Sequence, residues 1–216
     1  MFSCILSDLD GTLVDSAPGI TSSLAWTFKQ MKLPVPSPAE LLRYVGPPIL
    51  DSFRDLAGFD PETSLRALEL YRVHYLEFGV YDAQPYPGIP ELLREIHARR
   101  IPLSLATSKP EHPATLILEA LNLREYFTEI TGASEDEVRS AKKDVVEEAL
   151  RRLDARGVDI SNPVMIGDRD LDIHGAGHHD VPTVFVRWGY GSPAEEVGGI
   201  AVVDDTEQLK RVLFAD

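Results

Sequence analysis

The first strong hydrophobic signal in the chain is an apolar run from Phe2 to Leu6, which leads into the acidic segment Asp8 to Asp15. A short run of this kind predicts a buried strand. Residues two apart on a strand point to the same face, so Asp8 and Asp10 would converge before the chain turns at Gly11. Two converging carboxylates favour a divalent cation, and Mg²⁺ prefers oxygen ligands of this kind. The alternative is an ordinary strand-to-turn exit, since Asp and Gly are common in turns.

The spacing of apolar residues is helical from residue 16 to about residue 83, and no strand is predicted there. Ser16 is the expected N-cap of the first helix, with Pro18 in its first turn. Three more amphipathic helices are separated by Pro or Gly, namely Ala39–Tyr44, Ile49–Leu56 and Pro61–Phe78. The proline-rich segment from Gln84 to Gly88 ends this helical insert.

Helices and strands alternate beyond the insert. The predicted helices are Ile89–Arg99, Pro113–Leu121, Lys143–Ala155 and Leu171–His178, and the predicted strands are Pro102–Ala106, Phe127–Thr131, Val164–Ile166 and Thr183–Val186. Such alternation indicates an α/β fold, a Rossmann-like doubly wound parallel sheet covered by helices on both faces. We therefore expect a core of residues 1–15 and 84–216, with an all-helical cap of residues 16–83 inserted in it.

Composition narrows the class of protein. A length of 216 residues with 44% hydrophobic content supports a sizeable core. No apolar run approaches the roughly 20 residues of a membrane span, and the N-terminus enters a strand directly, so we expect a cytoplasmic protein without a membrane partner. The single cysteine, Cys4, excludes a disulfide framework and a thiolate metal site. A formal net charge of −14 argues against nucleic-acid binding.

Polar residues follow three of the predicted strands, at the end of a parallel sheet where ligands bind. Asp8 and Asp10 follow the first strand, and the segment Thr107-Ser108-Lys109 follows another. A third strand leads into Asp168, with Asp172 one helical turn further on. We expect Asp168 to complete a carboxylate cluster with Asp8.

A carboxylate cluster that admits a phosphate needs compensating positive charge. Lys142 and Lys143, at the start of a predicted helix, are the best-placed cations, and Lys142 is our first choice. Because the two lysines are adjacent, the assignment between them stays open. A solvated helix end is the alternative for both.

Taken in order, these motifs are Asp-x-Asp-Gly-Thr, a strand ending in Thr-Ser, a lysine and Gly-Asp-x-x-x-Asp. The order resembles the haloacid dehalogenase superfamily of phosphohydrolases, and the helical insert resembles the C1-type cap of its phosphoglycolate phosphatase-like branch. The resemblance implies catalytic roles for four residues: Asp8 as nucleophile, Asp10 as general acid and base, Thr107 as phosphate-binding hydroxyl and Lys142 as neutralising cation. It also implies a Mg²⁺ site made by Asp8, Asp10, Asp168 and Asp172.

The implied reaction is Mg²⁺-dependent hydrolysis of a small phosphorylated metabolite through an aspartyl-phosphate. Phosphoglycolate and nucleoside 5′-monophosphates are the leading substrates by resemblance. The resemblance favours a phosphatase over a dehalogenase, which lacks the second aspartate, and over a sugar mutase, which resembles Asp-x-Asp-Gly-Val. A phosphotransferase or phosphomutase of the same superfamily and a non-catalytic binding protein remain as alternatives. We expect a monomer or a homodimer.

Several further segments are candidates for substrate contact or for packing. Backbone N–H groups at Ser108 and Lys109 can bind phosphate oxygens. The resemblance suggests that Arg43 and Gly46, in the loop between two cap helices, face the active site, with a simple helix–helix turn as the alternative. The segment Trp188 to Gly191 is either typical of this branch or a packed loop after a strand. We interpret Glu195 and Glu196 as a solvated helix start.

Overall fold

A six-stranded parallel sheet forms the centre of the molecule in the computed structural model, which describes residues 2–215. Within that range the strands are β1 (Cys4–Ser7), β2 (Val14–Asp15), β3 (Gln84–Pro85), β4 (Leu103–Pro110), β5 (Glu129–Ala133), β6 (Pro163–Gly167), β7 (Thr183–Val186) and β8 (Ala201–Val203). The sheet order is β5-β4-β1-β6-β7-β8, and all neighbours are parallel. This is the doubly wound order that places a topological switch point beside β1. The predicted fold class is confirmed.

Among the described residues, every helix except the last begins and ends within a few residues of its predicted position. The helices are α1 (Ala17–Gln30), α2 (Pro38–Leu42), α3 (Ile49–Asp55), α4 (Pro61–Glu77), α5 (Ile89–Ala98), α6 (Glu111–Ala120), α7 (Lys142–Ala155), α8 (Asp170–Gly177) and α9 (Thr206–Leu213). Local caps define several starts: Ser37 and Glu40 form a capping box at α2, and Asp60 accepts a hydrogen bond from the Thr63 N–H at α4. Among residues 2–215, no helix combines the length and apolarity needed to cross a bilayer.

Both faces of the sheet are covered, as the alternation along β1 requires. Cys4 and Leu6 point to one face, where they pack in a cluster with Val145 and Val146 of α7. Ile5 points to the other face, into a larger cluster that includes residues of α5, α6 and α9. That larger cluster runs on into α1, α3 and α4, so the helical insert packs continuously with this face of the core.

A two-stranded ribbon joins the helical insert to the core. β2 pairs antiparallel with β3, through Val14 with Pro85 and Asp15 with Gln84, and helices α1 to α4 lie between these two strands in the sequence. The chain therefore leaves and re-enters the core through neighbouring strands. The sequence analysis did not predict this ribbon.

The end of the described chain departs from the sequence-based interpretation. β8 and α9 were not predicted, and Glu195 and Glu196 lie in turns, so the predicted helix start there is wrong. These carboxylates are used in ion pairs: Glu195 pairs with Arg169 at 2.6 Å and Glu196 with Arg187 at 2.8 Å.

Candidate active site

The loops that follow three adjacent strands meet at one edge of the sheet. β1 lies between β4 and β6, with Ser7 in register with Leu105 on one side and Ile166 on the other. The N–H of Asp8 donates to the carbonyl of Ile166 at 2.9 Å, which fixes Asp8 at the end of β1. The sequence-predicted residues at these strand ends are thereby brought to the switch point, where doubly wound sheets bind ligands.

Three buried carboxyl groups form a cluster at this edge. One carboxylate oxygen from each of Asp8, Asp168 and Asp172 lies within 4.8 Å of the others. The residues are 4%, 0% and 1% exposed, respectively. Asp172 reaches back from the first turn of α8, where its carboxylate also accepts the N–H of Arg169 at 3.1 Å.

Lys142 lies against this cluster, and Lys143 does not. The Lys142 Nζ is 2.7 Å from Asp8 Oδ1 and 2.8 Å from Asp172 Oδ1, and it donates to the carbonyl of Ala106 at 3.0 Å. Lys142 begins α7 and is buried, whereas the next residue, Lys143, is exposed. Of the two lysines that the sequence left open, Lys142 is therefore the one beside the carboxylates.

The electrostatics of the cluster leave it short of positive charge. Burial, with the charges of Asp172 and Asp8, raises the pKa of Asp168 to about 8. Burial also raises the pKa of Asp172 to about 6, although Lys142 acts in the opposite direction. Burial alone would lower the pKa of Lys142, but Asp172 and Asp8 outweigh it and raise that pKa above its usual value. One lysine does not balance three buried carboxylates.

The donor set suits a hard divalent cation. Carboxylate oxygens are the ligands that Mg²⁺ prefers, and Mg²⁺ needs only one or two of them besides water and phosphate oxygens. A bound cation would also offset the repulsion that raises the pKa values of Asp168 and Asp172. Asp8, Asp168 and Asp172 therefore fit a magnesium site.

Asp168 is held by two segments distant from it in the sequence. The Thr12 hydroxyl donates to its Oδ1 at 3.0 Å, and the Tyr190 N–H donates to its Oδ2 at 2.7 Å. A Cβ on Gly191 would overlap the carbonyl oxygen of Asp168, and one on Gly189 would overlap its carboxylate. The segment from Trp188 to Gly191 is thus a packed loop around Asp168.

Asp10 stands apart from the cluster. Its Oδ2 lies 3.0 Å from the Lys109 Nζ, and its Oδ1 accepts a hydrogen bond from the Ser16 hydroxyl. The carboxylate is buried but is not among the three that group together. Asp10 is therefore contacted by Lys109 and by the Ser16 hydroxyl instead, and its role as a metal ligand stays a prediction.

The end of β4 brings two hydroxyls and a lysine to the site. Thr107 is buried, and its Oγ1 accepts the N–H of Lys109 at 3.2 Å. Ser108 and Lys109 line the same cavity as Asp10. The Lys109 Nζ also donates to the Tyr75 hydroxyl of α4 at 2.8 Å, so this lysine links the core to the helical insert.

That cavity lies between the insert and the core and has a volume of about 240 Å³. Gly46 lies on its wall, in a backbone conformation with φ +105°, and Arg169 lies against it. Arg43 is exposed and lies on a separate depression with Asp51. The structure thus places Gly46, but not Arg43, on the cavity that reaches Asp10.

Two sets of contacts at the site, those of Arg169 and of the Tyr190 hydroxyl, were not predicted from the sequence. Arg169 donates to the carbonyl of Val45 in the insert at 2.9 Å, from a position directly after Asp168. The Tyr190 hydroxyl accepts the N–H groups of Ser16 and Ala17 and donates to Asp15 at 2.7 Å. The only signal for either was proximity in sequence, to the Gly-Asp motif for Arg169 and to two glycines for Tyr190.

Fold and site together define an α/β enzyme whose buried acidic centre lies at the switch point of a Rossmann-like sheet, beneath an inserted group of helices. The chain belongs to the haloacid dehalogenase-like hydrolase family, because the model of that family matches residues 5–186. The resemblance found in the motifs is confirmed.

Three curated relatives of this chain carry different activities in their names. A 5′-nucleotidase from Pseudomonas aeruginosa is 35% identical over 88% of this chain and 85% of its own length. A phosphoglycolate phosphatase from Rhodospirillum rubrum is 33% identical over 95% and 88%, respectively. Tyrosine-protein kinase PtkA from Mycobacterium tuberculosis is 37% identical over 87% of this chain, which spans only 62% of that relative. Among solved structures, a predicted phosphatase from Clostridium acetobutylicum superposes with a TM-score of 0.91 at 34% identity over 99% of both chains.

Proposed function

We propose that the chain is a Mg²⁺-dependent phosphomonoester hydrolase that works through an aspartyl-phosphate on Asp8. The observation that carries the proposal is the contact of the buried Lys142 with Asp8 and Asp172, beside Asp168. The relatives named 5′-nucleotidase and phosphoglycolate phosphatase support a small phosphorylated metabolite as substrate.

In the first half of the reaction, a carboxylate oxygen of Asp8 attacks the phosphorus atom. The bond between phosphorus and the leaving oxygen breaks, and that oxygen takes a proton from Asp10. An acyl phosphate is left on Asp8, and the alcohol is free to leave. Lys142, 2.7 Å from Asp8, offsets the charge of the phosphoryl oxygens as they approach the carboxylate.

In the second half, Asp10 is a carboxylate and takes a proton from water. The water oxygen attacks phosphorus, the bond to Asp8 breaks, and inorganic phosphate leaves with Asp8 restored. The Lys109 Nζ, 3.0 Å from Asp10 Oδ2, faces this carboxylate. The Thr107 hydroxyl, at the end of β4, donates to a phosphoryl oxygen.

Mg²⁺ held by Asp8, Asp168 and Asp172 would supply positive charge against the phosphoryl oxygens when it is bound. The chain's own part is to hold these carboxylates in place, through Thr12 and Tyr190 for Asp168. A cytoplasmic location and a monomeric or homodimeric state belong to the same proposal.

Residues 16–83 act as a cap over the site. Two hydrogen bonds support this role: Lys109 to Tyr75 at 2.8 Å, and Arg169 to the Val45 carbonyl at 2.9 Å. Each joins a residue next to the catalytic carboxylates to the insert. Closure of the cap would exclude water while Asp8 is attacked.

The test is phosphate release from a panel of small phosphomonoesters, with Mg²⁺ and with EDTA. We expect release that needs Mg²⁺. Asp10→Asn should lose more activity toward an alkyl phosphate than toward p-nitrophenyl phosphate, whose leaving group needs no proton. Asp159→Asn, at an exposed aspartate, is the matched control. EDTA-insensitive release, or none from any member, would overturn the proposal.

A second candidate is transfer of the phosphoryl group to an acceptor other than water. The relative named tyrosine-protein kinase PtkA favours it. A balance of products decides between the two candidates: hydrolysis yields equal amounts of alcohol and inorganic phosphate, whereas transfer yields less phosphate than alcohol.

A further inference from the structure

The cavity between the insert and the core begins where the leaving group must be. Asp10 lines it, together with Ser108 and Lys109. If Asp10 protonates the leaving oxygen, as proposed above, the rest of the alcohol extends from Asp10 into this cavity. The substrate preference inferred from the cavity rests on that proposed function.

The walls of the cavity are largely apolar and aromatic. Side chains from α1, the loop before α3, the start of α3 and α4 line it, and these include Ile20, Pro47, Pro48, Ile49, Leu68 and Tyr71. Tyr71 stacks on Tyr75, with ring centroids 5.2 Å apart and planes inclined by 11°. Burial raises the pKa of both phenols well above the usual value, so both rings stay neutral. Flat apolar surfaces of this kind favour a ring in the ligand.

Beyond Asp10 and Lys109, the charged part of the cavity wall holds more carboxylates than cations. Arg72 is paired with Glu137 and donates to the Glu135 carbonyl at 3.2 Å. Glu135 and Glu137 both line the cavity beside Arg72. This part of the wall therefore carries a net negative charge and repels a carboxylate.

The cavity is also larger than a very small leaving group would fill. The cavity volume of about 240 Å³ is many times the roughly 10–15 Å³ that a single water requires. Glycolate, with two carbons, would leave most of the apolar wall without a contact.

We propose that this site selects phosphomonoesters whose leaving group is neutral and carries a flat apolar ring, and that it disfavours small carboxylated leaving groups. Of the two leading substrates, a nucleoside 5′-monophosphate has a neutral leaving group with a flat ring, whereas phosphoglycolate has a small carboxylated one. Ile49, Tyr71 and the Arg72–Glu137 pair determine the preference.

The test compares kcat/KM for four phosphomonoesters of alcohols: methyl phosphate, benzyl phosphate, 4-(phosphonooxymethyl)benzoate and phosphoglycolate. The second and third differ only in the carboxylate. We expect benzyl phosphate to exceed both carboxylated substrates by about tenfold or more, as expected when apolar contact is gained and like charge is avoided. Equal or better turnover of either carboxylated substrate would overturn the inference and leave the phosphatase in place. No release from any of the four would overturn both.

Two variants test the wall itself. Ile49→Trp fills the cavity and should lower the ratio of benzyl phosphate to methyl phosphate kcat/KM by about tenfold. Val73→Trp, on the exposed outer face of α4 at 61% exposure, is the matched control and should leave that ratio unchanged. Glu137→Gln frees Arg72 and should raise the ratio of the carboxylated to the neutral benzyl substrate by about tenfold. An unchanged ratio in both cavity variants would contradict the assignment of the wall.

Discussion

A lysine buried among acids is an unstable arrangement unless every charge has a partner. Lys142 has two carboxylates within 2.8 Å, and these in turn depend on it, because a buried charge left without its partner is costly. The same contacts place the ammonium group where a phosphoryl group on Asp8 would need it. The Lys142 side chain therefore both stabilises the fold and lies where the proposed reaction needs a cation.

Replacement of Lys142 by Met tests that conclusion, with Lys143→Met as its matched control. We expect kcat for Lys142→Met to fall by about two to three orders of magnitude, as when a group that stabilises transition-state charge is removed. The free energy of unfolding should fall by about 3 kcal/mol, because Asp8 and Asp172 lose their cation. Lys143→Met, at an exposed position, should change kcat by less than about twofold. Initial rates measure kcat, and urea unfolding measures the free energy of unfolding. A larger loss of kcat in Lys143→Met than in Lys142→Met would assign the role to Lys143.

At the residue scale, the sequence was informative where chemistry follows strand ends. Asp8 and Asp168 were placed near each other because the carboxyl ends of parallel strands meet at one edge. Arg169 was not recognised, because its partner, the Val45 carbonyl, lies 124 positions away and backbone carbonyls carry no sequence signal. The segment Trp188 to Gly191 was named as a possible packed loop, but the contact of the Tyr190 hydroxyl with the N–H groups of Ser16 and Ala17 was not predicted, because backbone N–H groups carry no sequence signal either.

At the scale of elements, Arg169 connects the first turn of α8 with the loop between α2 and α3. Its Nη1 donates to the Val45 carbonyl, and its Nε pairs with Glu195 at 2.6 Å. A bond of this kind, from a charged donor, contributes about 1.5–3 kcal/mol. It therefore favours the arrangement in which the insert lies over the cluster.

Arg169→Gln should weaken that arrangement. We expect KM to rise by about tenfold while kcat changes by less than about threefold, because the reacting carboxylates keep their contacts. The control is Arg187→Gln, which removes an arginine that is paired with Glu196 at 2.8 Å, outside the insert. This variant should leave both constants near wild type. Steady-state kinetics with benzyl phosphate as substrate measures kcat and KM separately. A fall in kcat with KM unchanged would show that Arg169 acts on the chemical step instead.

Elements with a clear local signal were predictable, and the shortest pairings were not. Helix α4 was found at nearly its full length because its 17 residues share one helical period. Strand β7 was found because its four residues are all β-branched or aromatic. The ribbon of β2 and β3 has two residues per strand, too few for any period, and its pairing depends on the insert returning to its starting point. For α9 a signal existed, since Asp205 caps the helix by accepting the Gln208 N–H, but the preceding edge strand β8 is only three residues long.

At the scale of the whole molecule, the acidic cluster makes stability depend on pH, and we expect a bound Mg²⁺ to change that dependence. The pKa of Asp168 is raised to about 8, and that of Asp172 to about 6. Carboxyls with raised pKa values stabilise the metal-free fold at low pH, and this contribution is lost as the pH rises through 6 and then 8. Protons also compete with the cation for the same oxygens.

We therefore expect Mg²⁺ to raise Tm more at pH 8 than at pH 6, by several degrees when the cation is present at about 100 times its Kd. Asp168→Asn should be more stable than the wild type at pH 8 without metal and should respond less to Mg²⁺. Thermal unfolding with MgCl₂, against KCl of equal ionic strength, measures both. A Mg²⁺ shift that is the same in Asp168→Asn would exclude this cluster as the site.

In the proposed reaction, Asp8 carries the phosphoryl group during turnover. A rapid acid quench of the enzyme turning over benzyl phosphate with Mg²⁺, followed by mass spectrometry of the peptide that contains Asp8, detects this intermediate. We predict the added mass of one phosphoryl group on Asp8, and neither this mass nor turnover in Asp8→Asn. Turnover that persists in Asp8→Asn, or a phosphoryl group found on another residue, would contradict the account.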